Sequence, residues 1–357
     1  MDEERLRARI EAPTPERGFS GVCLATADGV GAFSYATGLA HRGHRVPNTL
    51  ATRFAIASVT KLITAAATLS LVDDGRLDLS TPLIDLLPPD LLPRGISPLV
   101  TTHHLLSHTS GITSYFDEEV ESWEPFIACW DIVPTYHVRS PRDLVPLYVD
   151  KPAFAAPGGD MVYTNVNFVI AGLVCEQVTG SPFPSVVDEH VLVPAGMTST
   201  TFDALDEDPA DLAVGYRRPL EPGGRWRSNI YSVPAVAMPD GGMITTAHDL
   251  TRFIDALLAN RLLAPATTNE MISVQAMSPS GENRHYGYGV YVTVVDGRPV
   301  MIGHGGSDPG INATVRHYLD TRTTIVVLAN ADQEGADMAA ADVADLVADE
   351  LGVSLPS

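Results

Sequence analysis

Ser58 and Lys61 stand three residues apart in Ala55-Ile56-Ala57-Ser58-Val59-Thr60-Lys61, the one Ser-x-x-Lys in the chain. Only two lysines occur, Lys61 and Lys151, and the other basic residues are arginines. The position after Ser58-Val59-Thr60 therefore holds the basic side chain that can lose its proton near neutral pH, which arginine cannot. Residues from about 58 to 73 are rich in Ala, Leu and Ile, with no Gly or Pro until Gly75. That pattern predicts a buried helix stopped by Asp74-Gly75. Side chains three apart on a helix point the same way, one turn apart. A hydroxyl at the helix N-terminus would then face an amine that its apolar surroundings can strip of its proton, the arrangement of an activated nucleophile. The same string also fits a serine N-cap beside an incidental lysine, so the rest of the chain has to decide.

Two further strings bear on it. Pro157-Gly158-Gly159-Asp160-Met161-Val162-Tyr163-Thr164-Asn165 holds the one Tyr-x-Asn and leads into a helical pattern. A tyrosine near a cation can be drawn toward phenolate and act as a base, and Asn165 could hydrogen-bond into the same cavity. Gly303-His304-Gly305-Gly306-Ser307-Asp308-Pro309-Gly310 lies between two strand patterns. Its glycines suggest a strand edge whose backbone comes close to a ligand. His-x-Gly recurs at His41 and His285, but only His304 has this setting.

The elements that must carry these strings are unevenly distributed. Residues 1–17 read as a charged helix ending at Pro13 or Pro15. Residues 19–26 and 31–38 read as strands joined by a turn at Asp28-Gly29. Residues 52–56 form an extended lead into the Ser58 helix. Residues 101–112 read as a short helix breaking at Ser110-Gly111. From 115 to 285 helical segments alternate with Pro-rich loops, clearest at 166–179 and 247–260. Strand patterns return at 289–295, 299–303, 312–319 and 323–330, the last nearly all β-branched and so central in a sheet. A helix over 336–351 follows. The expected fold is α+β: one antiparallel sheet built from N- and C-terminal strands, flanked by the terminal helices, with a mostly helical lobe from the middle of the chain. A single domain over 1–357 is expected, with 18–60 and 286–357 forming the sheet lobe and about 61–285 the helical lobe. The cleft between lobes is the expected site.

Composition removes several alternatives. A formal charge of −21 argues against nucleic-acid and membrane partners. No apolar run reaches the length of a membrane span. The charged start, Met1-Asp2-Glu3-Glu4-Arg5-Leu6-Arg7, has no apolar h-region, and the three cysteines are sparse and odd in number. Both features predict a cytoplasmic protein without a secretory signal or disulfide framework. His103, His104 and His108 lack a His-Glu-x-x-His pattern or a carboxylate in register, so no metal or other cofactor is expected. His108 reads as a residue shaping the cleft. The nearest Gly-x-Ser-x-Gly string, Gly305-Gly306-Ser307-Asp308-Pro309, ends in Pro and precedes a strand, which excludes an α/β-hydrolase elbow.

In the order Ser58-Val59-Thr60-Lys61, Tyr163-Thr164-Asn165, His304-Gly305-Gly306, the chain resembles the serine β-lactamase and penicillin-binding-protein superfamily. The resemblance is to its class C-like branch, with D-stereospecific peptidases and family VIII carboxylesterases. Phe54-Ala55-Ile56-Ala57, residues 105–112 and Tyr286-Gly287-Tyr288-Gly289 extend it over roughly residues 18–350. It implies a β-lactamase/transpeptidase-like fold and a serine hydrolase acting on small ester, amide or peptide substrates. Ser58, Lys61 and Tyr163 would be catalytic, and Asn165, His304, Gly305, Gly306 and Ser307 would bind substrate. By the same resemblance, the backbone N–H groups of Ser58 and Ser307 would form the oxyanion hole. Lys-Thr-Gly is absent, since Lys151 precedes Pro152. With His304 in that place, the resemblance points to a carboxylesterase or D-amino-acid-type peptidase ahead of a β-lactamase or DD-peptidase. A non-catalytic binding protein on the same scaffold is the alternative from another class. The sequence leaves open whether Lys61 or Tyr163 is the immediate base, whether water or another acceptor takes the acyl group, and the oligomeric state.

Overall fold

The computed structural model describes residues 2–12, 18–118, 122–219, 223–279, 283–333 and 336–355. The proposed helix end at Pro13 or Pro15 lies outside them.

Seven strands form one antiparallel sheet: β1 (Gly21–Ala27), β2 (Val30–Thr37), β3 (Arg284–Tyr286), β4 (Tyr291–Val295), β5 (Arg298–Asp308), β6 (Ile311–Tyr318) and β7 (Thr323–Ala329). Their order is β2-β1-β7-β6-β5-β4-β3, so strands from the two ends of the sequence meet where β1 pairs with β7. The turns at Asp28-Gly29 and Asp296-Gly297 have positive φ at both residues, the backbone that tight hairpins between twisted strands require. The fold is thus α+β, as the residue patterns predicted, with β7 central and fully buried.

Alternation along the central strands splits the interior into two cores. Val22, Leu24, Val326 and Leu328 face the larger core. Cys23, Ala25, Ile325 and Val327 face the smaller one, beneath α1 (Glu3–Glu11) and α5 (Ala340–Leu351). The larger core receives α2 (Thr60–Asp73), α3 (Asn165–Thr179) and α4 (Ala247–Leu258). α2 and α3 are apolar on nearly every side and pack against each other, which is why their sequences show little amphipathic contrast. Between residues 38 and 283 the strands are short pairs, such as Phe54–Ala55 with Ile244–Thr245.

Four expectations need adjusting. Ser58 precedes the α-helix, on a 3-10 turn over Ala57–Val59. The helix expected over 101–112 covers only Thr102–Leu106, because His108 takes a left-handed backbone, with φ 57°. The C-terminal helix begins at Ala340 rather than 336. His304 is interior to β5, which runs unbroken to Asp308, so the glycines beside it are ladder residues rather than a strand edge.

Candidate active site

Two helix N-termini and one strand converge on Ser58. The 3-10 turn carrying it rests on β5 and leads into α2, and α3 begins at Asn165. Ala57, just before the serine, has φ 45°, a conformation that costs a non-glycine residue roughly 1–3 kcal/mol. A hydrogen bond from the Gly242 N–H to the Ala57 carbonyl, 3.2 Å, helps hold it there.

One turn on, Lys61 is fully buried. Its Nζ donates to Ser58 Oγ (2.9 Å), Asn165 Oδ1 (2.6 Å) and the Asp240 carbonyl (2.5 Å). Three contacts use every proton of an ammonium, and an amine that has lost one is placed to accept the Ser58 proton. Burial pulls the Lys61 pKa down from its ordinary value, while Asp240, Glu118 and Asp308 pull it back up.

Tyr163 precedes α3 and hydrogen-bonds to Ser58 through its side chain. Lys61 Nζ lies over its ring, 5.0 Å from the centroid. Of the two roles left open for Tyr163, the surroundings favour the phenol. Enclosure, then the neighbouring Tyr286 and Tyr291, raise Tyr163 well above the ordinary phenol range, and only the Ser58 hydrogen bond works the other way. Tyr163 is therefore held as a neutral phenol, able to donate a proton.

His304 lies beside the same tyrosine. It is buried among Tyr163, Tyr286 and Tyr291. Its Nδ1 meets the Gly305 carbonyl at 2.5 Å, which fixes the proton there, and its Nε2 accepts from the Tyr286 hydroxyl at 3.0 Å. Desolvation, with Lys61 second, lowers its pKa to about 3. The ring is neutral, and both its nitrogens have partners within the protein. His108 has a comparable packing role, its ring 4.4 Å from Tyr163 and 4.7 Å from Tyr286, with Nδ1 accepting from the Thr164 N–H.

Gly306 is where β5 touches the nucleophile turn. A Cβ there would lie 2.3 Å from the Ile56 carbonyl oxygen and 2.9 Å from the Ser58 nitrogen. Gly305 is exposed on the cleft side of the strand, and Ser307 follows, partly buried.

Three carboxyl groups in the site escaped the sequence reading. Glu118 accepts from the Asn165 N–H at 2.8 Å and from Ser114, and burial lifts its pKa to about 7 against the pull of Lys61. Asp240 accepts from the Tyr115 hydroxyl at 2.7 Å, and burial raises its pKa. Asp308 ends β5 and is lifted to about 7 by burial and by Asp240. Asp240-Gly241-Gly242 carried a local turn signal that would have singled it out. Nothing in the string around Glu118 or Asp308 marks them, because only tertiary folding brings them to Lys61.

Ser58 lies where two cavities meet. An open cleft of about 770 Å³ is lined by Tyr163, Glu118, Trp123 and β5. A more enclosed chamber of about 120 Å³ lies on its other side. Of the two arginines on the cleft, Arg316 pairs with Asp345 and Arg284 stacks on Tyr291 at 3.9 Å. Among the described residues no cluster of side chains has the makings of a metal site, and no helix is long and apolar enough to cross a membrane. The arrangement can carry out acyl transfer: a hydroxyl touching a dry amine, a phenol on the same hydroxyl, and a strand backbone alongside.

Comparison with known proteins gives matches along nearly the whole chain. A family model described as Beta-lactamase matches residues 6–350. Esterase EstB of Burkholderia gladioli is 30% identical over 336 residues, covering 86% of this chain and 85% of that protein. The crystal structure of a penicillin-binding protein from Bacillus halodurans superposes with a TM-score of 0.84 at 36% identity, covering 93% of this chain and 96% of that one. That of a D-stereospecific amidohydrolase from Streptomyces sp. gives 0.75 at 28% identity, covering 93% and 95%.

Proposed function

Since the chain belongs to the beta-lactamase family, we propose that it is a serine hydrolase that cleaves uncharged ester or amide bonds through an acyl-enzyme on Ser58. The observation that carries this reading is the 2.9 Å contact between Ser58 Oγ and the buried Lys61 amine. Lys61, unprotonated, takes the Ser58 proton as Oγ attacks the carbonyl carbon. Tyr163, kept as a phenol, hands a proton to the departing alkoxide or amine and is restored from Lys61; the three groups titrate as one network. Water then attacks the acyl carbon by the reverse proton path. The backbone N–H groups of Ser58 and Ser307 receive the developing oxyanion, and the close approach at Gly306 supports that assignment. Asn165 holds Lys61 in place. The sheet and the helices from the middle of the chain act as one domain, with the cleft at their seam. The unpaired, buried cysteines Cys23, Cys129 and Cys175 support cytoplasmic residence.

The charge of the site favours neutral substrates. Glu118 and Asp308 face the cleft, and His304 is uncharged and internally satisfied. A penicillin or cephalosporin brings a carboxylate into that field, at a cost in affinity. A panel of p-nitrophenyl esters, D-amino-acid amides and a chromogenic cephalosporin tests this. Short esters should turn over, amides more slowly, and the cephalosporin weakly or not at all. Efficient cephalosporin turnover with poor ester hydrolysis would restore the β-lactamase reading.

A further inference from the structure

The two cavities that meet at Ser58 share few walls. Ser58, Asn165 and Asp308 line both, whereas Tyr163 and residues 303–307 line only the open cleft. A tetrahedral intermediate on Ser58 Oγ has three other substituents to place: the oxyanion, the leaving group and the acyl substituent. The leaving group must collect a proton, and the donor, Tyr163, stands in the open cleft. The oxyanion faces β5. The acyl substituent is left with the enclosed side.

That side is built for an apolar group. Its walls include Phe54, Leu144, Leu205, Val233, Met238 and Ile311. Asp240 and Asp308 are also among its walls, and their carboxyls disfavour an anionic acyl group. Its volume, about 120 Å³, is a little below the ~150 Å³ of an apolar cavity that accepts benzene. The open cleft, at about 770 Å³, sets no comparable limit on the leaving group.

Resting on the hydrolase reading, we propose that the enclosed chamber is the acyl subsite: the protein selects substrates by a compact, uncharged apolar acyl group of butyryl to benzoyl size, and is indifferent to leaving-group size. Bonds balance as in simple hydrolysis. Ser58 Oγ forms the acyl ester, and the alcohol or amine leaves through the cleft with the proton from Tyr163. Water enters by the same cleft and returns the acid and a free Ser58 hydroxyl.

The test uses p-nitrophenyl esters, which share one leaving group, with kcat/KM read for acetate, butyrate, benzoate and decanoate. Butyrate or benzoate should lead, with decanoate at least about tenfold lower, the discrimination a sized apolar pocket gives. Val233→Phe, which fills the chamber, should cut butyrate and benzoate by about 10–100-fold and acetate, the smallest acyl group, by much less. Met238→Ala, which enlarges it, should shift the preference toward longer chains. A cooperative thermal unfolding transition like that of the wild type reports folding in both variants. Acetates of phenol and 2-naphthol should differ by less than about threefold. A flat acyl profile, or a folded Val233→Phe variant that lowers every acyl length alike, acetate included, would overturn the subsite. Failure of the wild-type protein to hydrolyse any ester would overturn the hydrolase reading, and the subsite with it.

Discussion

A lysine amine shut away from water takes its protonation state from the charges around it. For Lys61 those are Asp240, Glu118 and Asp308, each favouring the ammonium against the burial that disfavours it. Glu118 also reaches Lys61 through contacts, since it accepts from the Asn165 N–H and Asn165 Oδ1 accepts from Lys61. Glu118→Gln keeps an oxygen for Asn165 and removes the charge. Lys61 should then lose its proton at lower pH, so the acid limb of the kcat/KM profile should move down by roughly one pH unit while the plateau holds. Glu118→Ala, which also removes the acceptor, should lower the plateau. A pH–rate profile of Glu118→Gln that overlays the wild type would show that the carboxylate has no part in setting Lys61. At this scale the sequence made Ser58, Lys61 and Tyr163 visible because each motif is local: three residues on a helix start, or a tyrosine ahead of one. Glu118 and Asp308 were invisible because they sit 57 and 247 residues from Lys61 in the chain. The state of Tyr163 was left open for a related reason. A nearby cation suggested phenolate, but the enclosure that keeps the phenol neutral is a tertiary property.

β5 and the Ser58 turn form one working unit. The strand can lie against the turn only where side chains are missing, and a Cβ at Gly306 would collide with the backbone at Ile56 and Ser58. Gly306→Val should therefore displace the strand from the nucleophile and cost about 10²–10³ in kcat, the loss expected when an oxyanion donor is misplaced. Ser307→Ala changes only a side chain and should stay within about threefold, since the proposed donor is the backbone N–H. A harmless Gly306→Val, by steady-state kinetics on a folded variant, would separate β5 from the oxyanion hole. The Asp-Gly hairpins were readable because that dipeptide suits the left-handed turn both of them show. The strand around His304 was not. Its glycines mimic a loop, and only the pairing of β5 with β6 identifies them as places of close approach.

For the molecule as a whole, the two faces of β1 and β7 divide the interior into two cores, and the strand patterns at both ends of the chain made the α+β layout legible. The middle was harder to read, since α2 and α3 are buried all round and the loops between them have no period. Stability also carries the imprint of the site. Folded Asp308 keeps its proton up to about 7, while the unfolded carboxyl releases it near 3.8. Between those values the native state binds more protons, so this group lowers stability as the pH rises through the window. Asp308→Asn should therefore raise the melting temperature at pH 8 by a few degrees, roughly 1–2 kcal/mol, with the gain shrinking as the pH falls toward 4. Equal gains at both ends in thermal denaturation would contradict the assignment. The most direct test of the central claim is the mass of the intact protein after reaction with a fluorophosphonate probe. One adduct per chain, mapped to Ser58 and absent from Ser58→Ala and from protein unfolded before labelling, is the predicted result. A folded wild-type protein that takes no label, or takes it equally in Ser58→Ala, would contradict the acyl-enzyme account and favour a binding protein on a hydrolase scaffold.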